Sequence, residues 1–73
     1  MKFECDVEKK IGVKHPAFLR VGISSNTHVT ILAENTEESF MVYLTIEDAR
    51  QFAYEVLKHK QMLQQINENE KNI

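Results

Sequence analysis

Seventy-three residues with a formal net charge of −2, 42% hydrophobic and 27% charged, describe one globular domain. The apolar fraction is too high for a disordered chain, and the charge fits neither a polycation for nucleic acid nor a strongly acidic DNA mimic. No run approaches the roughly 18 apolar residues of a membrane span, and Cys5 alone cannot form an intrachain disulfide.

The first eight residues alternate. Met1, Phe3, Cys5 and Val7 fall on one side and Lys2, Glu4, Asp6 and Glu8 on the other, the period of a half-buried strand. A signal peptide would be continuously apolar here, so the expected address is cytoplasmic, with a free thiol in a reducing compartment. Residues 9–16 follow, with Gly12, Pro16 and several cations, and read as a connection, although Ile11 and Val13 allow a strand to extend into it.

Ala17–Ser24 is the second expected strand, with Ala17, Leu19, Val21 and Ile23 inward. Ser25-Asn26 suits a tight turn, and Thr27–Glu34 returns with Val29, Ile31 and Ala33 inward, completing a hairpin. Residues 35–38 form an acidic loop. Ser39–Leu44 makes the fourth strand, with Phe40, Val42 and Leu44 inward. The helix start is the sharpest local signal, because Thr45 offers an N-cap hydroxyl and Glu47 and Asp48 meet the positive end of the dipole. Ile46, Ala49, Phe52, Ala53, Val56, Leu57 and Leu63 then share one stripe. The expected fold is α+β: a four-stranded antiparallel meander followed by one long C-terminal helix packed on one face. Residues 1–66 form the domain and 67–73 a frayed polar tail.

A six-residue strand spans roughly 20 Å, whereas a helix from Ile46 to Ile66 spans roughly 31 Å. The helix should overhang the sheet by about 10 Å, leaving Met62, Leu63 and Ile66 without intramolecular cover. On the outward sheet face, Phe18, Arg20, Leu32, Met41 and Tyr43 gather types enriched at interface cores. Small folds lacking disulfide and metal support commonly associate with themselves. A homodimer is therefore expected, held through the distal helix, the outer sheet face or both.

Signals for chemistry are weak. Cys5 sits on an apolar strand face, where thiols are usually inert. His15, His28 and His59 belong to different elements, and no closely spaced Cys or His pair suggests a metal. Gly12 and Gly22 are the only glycines, so no phosphate-cradling loop exists, and no nucleophile motif appears. Neither catalysis nor a cofactor is expected. Lys9, Lys10, Lys14 and Arg20 lie in an acid-free segment, and Phe18 and Tyr43 beside them offer stacking surfaces, which makes nucleic-acid binding the alternative. The stretch from Tyr43 to Leu57 resembles a strand-to-helix ending common in short bacterial and phage proteins. The resemblance implies no activity. By analogy with small accessory factors of mobile elements, it suggests a protein that acts by occluding or bridging a protein partner.

Overall fold

The computed structural model describes residues 1–71 as β1 (Lys2–Lys10), β2 (Val13–Ser24), β3 (His28–Glu34), β4 (Ser39–Thr45) and α1 (Ile46–Lys71). The strands form one open antiparallel sheet in the order β1-β2-β3-β4, followed by the helix. This is the expected α+β architecture. Val21 pairs with Ile31 and, through it, lines up with Val42, while Leu19 joins Phe3 to Ala33 and Phe40. These registers put every apolar residue expected inward on a common face, because side chains alternate with period 2.

Each junction has a local cause. Gly12, at φ 85°, closes the β1–β2 hairpin, and its N–H donates to Glu8 Oε1 at 2.6 Å. Ser25 and Asn26 both have positive φ, 52° and 58°, in a three-residue loop between the paired Ser24 and His28, closed by Thr27 N–H donating to Ser24 O at 3.1 Å. Asn35 Oδ1 accepts from the N–H groups of Glu37 and Glu38, both at 2.8 Å, holding the β3–β4 loop. Thr45 Oγ1 accepts from Asp48 N–H at 3.2 Å, which caps α1 with no linker after β4.

Two boundaries differ from the sequence reading. The segment 9–16 is not a connection: β1 and β2 extend through most of it, and only Ile11-Gly12 turns. Pro16 is admitted to β2 because it pairs with Asp6 of β1 where β3 no longer flanks the strand. The helix continues through Lys71 rather than ending near Ile66, since Gln, Glu and Lys sustain a helix without a core to face. Of the polar tail expected at 67–73, residues 72–73 lie outside the described residues.

The interior is very small. Ala17 is the only buried hydrophobic residue among those described, and Thr30 the only buried polar one. The radius of gyration is 15.3 Å, against about 11 Å for a compact chain of this length. The accessible surface is 6553 Å², against roughly 4,700 Å² for a compact monomer of this mass.

Candidate functional site: two apolar faces and an open cleft

The sheet has an inner face, toward α1, and an outer face. On the outer face Arg20, Leu32 and Met41 lie in one cross-strand row, with Lys2 at its β1 end. Tyr43 is two residues along β4 from Met41, and Phe18 two residues along β2 from Arg20. The register therefore brings together the five residues singled out on this face instead of scattering them. Phe18, Met41 and Tyr43 are exposed, and Leu32 is half-buried. Polar groups trim the patch: Lys2 Nζ stands 4.3 Å from the Phe18 ring centroid, and His28 meets the Tyr43 ring edge-on at 6.5 Å. Arg20 Nε lies 3.3 Å from Glu34 Oε1.

The basic segment carries less free charge than its sequence suggests. Lys9 pairs with Glu38 and lies 5.7 Å from the Phe40 ring centroid, so the β1–β2 arm bends toward the inner face. Lys14 is directly opposite Glu8, and Arg20 is engaged by Glu34. Pairing with β1 sets Glu4, Asp6 and Glu8 alongside Phe18, Pro16 and Lys14. Lys10, by contrast, closes the hairpin opposite Val13. These four cations thus form no continuous basic track on the sheet.

The inner face holds the feature the sequence reading missed. It treated the helix stripe and the inner sheet face as a closed core. Instead α1 meets the sheet chiefly at β3 and β4 and diverges from it, leaving an open cleft of about 450 Å³. Val21, Val29, Ile31 and Leu44 form the sheet wall, and Phe52 and Val56 are prominent on the helix wall. Lys60 is the one charged residue of the lining. Phe52 and Val56 remain about half exposed, at 48% and 54%.

Beyond the cleft, Met62, Leu63 and Ile66 are also exposed, at 49%, 59% and 52%. A signal for this arrangement was present in the sequence. Ala49, Phe52, Val56, His59, Leu63 and Ile66 follow one another at spacings of three, four, three, four and three. That is the 3.5-residue period of a helix that packs along another helix, narrower than the stripe of a helix seated on a sheet.

No family model, curated protein or solved structure matches the chain. Its chemistry must come from its own residues. No three of the His, Cys, Asp and Glu side chains gather as metal ligands among the described residues. Cys5 is half-buried beside Ala17, its partner on β2. A second open depression, of about 880 Å³, lies where β1 and β2 extend beyond β3, lined by Glu4, Cys5, Asp6, Phe18 and Asn35 among others. No helix of the described residues is long and apolar enough to cross a membrane.

Proposed function

We propose that this chain is a non-enzymatic protein-binding module that works as a homodimer, occluding or bridging a protein partner. The observation that carries the reading is the near absence of a buried interior among the described residues, alongside an apolar inner sheet face, an apolar patch on the outer face and an uncovered helix. A surface of this kind is stable in water only when another protein covers it. The outer patch of Phe18, Arg20, Leu32, Met41 and Tyr43 combines aromatic, Met and Arg side chains, the types that dominate interface cores.

The test has two parts. Light scattering on the full chain should give twice the 8.5 kDa chain mass. Affinity capture from source-cell extract should retain a protein that is lost with Met41→Glu or Tyr43→Glu while the mass of the module is unchanged. A monomer at high concentration, or capture indifferent to both substitutions, contradicts the proposal.

A further inference from the structure

We infer that the inner cleft is completed by α1 of a second copy of this chain, laid antiparallel to the first. Leu63 and Ile66 of each helix then enter the cleft of the other. This deepens the proposal that the chain is a dimer, on which it rests, by assigning the inner face to self-assembly and leaving the outer face free.

The area is of the right size. Each chain exposes about 1,900 Å² more than a compact monomer of its mass. Covering that excess in both copies removes roughly 3,800 Å² in total, within the range of obligate homodimers and above that of transient complexes. The lining also suits a permanent contact, because its sheet wall is wholly aliphatic and Lys60 is its only charge.

The occupant follows from complementarity within the chain. The cleft lacks a helix, and the helix end lacks a cleft. A two-fold axis supplies both at once, which a single unrelated partner does not. Phe52 and Val56 lie on the same 3.5-residue seam as Leu63 and Ile66, so the cleft-lining and distal halves of α1 share one packing line. The direction is set by length. Twenty-six residues span about 39 Å, while the seven-residue strands β3 and β4 span about 23 Å. Parallel helices would carry both distal ends beyond both sheets. Antiparallel helices return each end over the partner's sheet, with His59 near the axis and Phe52 of one copy facing Ile66 of the other.

A foreign partner is also disfavoured by the missing interior. A chain with only one buried hydrophobic residue among those described needs its core as it folds, and a second copy is present from the start.

The experiment uses the full chain carrying Leu63→p-benzoylphenylalanine, prepared as a refolded mixture of unlabelled and heavy-isotope-labelled chains and irradiated. Cross-linked pairs of mixed mass are expected, joined to residues 49–56 of α1 or to β2 and β3 of the other chain. Links confined to one chain overturn the inference, because α1 has then folded onto its own sheet. Mixed pairs joined at residues 59–66 show parallel helices, and pairs joined to Met41 or Tyr43 show dimerisation through the outer face. Either result overturns the placement while leaving the dimer intact, whereas a monomeric mass removes the dimer as well. The unmodified chain provides an independent check in case the variant folds poorly. A short amine cross-linker should join Lys58 or Lys60 of one copy to Lys58 or Lys60 of the other, a mixed-mass product that a monomer does not give.

Discussion

Single residues decide where this chain turns, and their contributions are separable from assembly. Thr45 Oγ1 satisfies one of the amides left free at the start of α1, and no linker residue stands by to replace it. Thr45→Ala should cost about 1 kcal/mol, read as a lower urea midpoint with an unchanged slope. Ser25 offers the opposite opportunity. It sits at φ 52° without the local compensation that suits Asn or Gly to that region. The paired change Ser25→Asn with Asn26→Gly places at both positive-φ positions the residues that tolerate that region best. It should raise stability by about 1 kcal/mol in the same urea titration, the scale of the penalty for holding an ordinary residue in the left-handed region. Such local chemistry is what a sequence displays most openly. The turn at Ser25-Asn26 and the cap at Thr45 were both legible, because each depends only on near neighbours.

The elements were less evenly legible. Period-2 alternation placed the faces of all four strands correctly, since a register slip of one residue would expose every apolar side chain. Residues 9–16 misled because Gly12, Pro16 and their cations are loop signals. A long hairpin arm with one open side tolerates all of them. The outer patch was legible as a list, and the registers then joined Arg20, Leu32 and Met41 into one row. The cleft was not legible, because the angle between α1 and the sheet is a tertiary quantity that no local pattern encodes. Its trace lay in the helix period. His59 is the one polar residue between Ala49 and Ile66 on the 3.5-residue seam, and a polar seam residue lowers stability while fixing register. His59→Leu should therefore raise the urea midpoint, by roughly 1–2 kcal/mol for each substituted chain on the scale of burying a leucine. If His59 faces water in the assembled protein, the midpoint will stay where it is.

At the scale of the whole molecule, the proposed dimer makes folding and association one event. The described residues include a single buried hydrophobic one, and the shape is an extended 50 × 31 × 23 Å, so the proposal assigns most of the apolar burial to contact with a second chain. Unfolding should then convert one dimer into two disordered chains, and mass action makes its midpoint depend on concentration. Each tenfold rise in concentration adds about 1.4 kcal/mol to the stability of the dimer. With an unfolding entropy of about 2 cal/mol/K per residue over two chains, the melting temperature should rise by roughly 4–5 °C per decade. Circular dichroism at several concentrations spanning two decades measures this directly. Ala53→Glu, on the helix wall of the cleft, should abolish cooperative melting, because burying an unpaired carboxylate in the completed cleft costs more than a marginal fold holds in reserve. Met41→Glu, on the outer face, should leave both the slope with concentration and the mass unchanged. A melting temperature constant across two decades would mean that one chain makes its own core, and the open cleft would then be a surface for some other molecule.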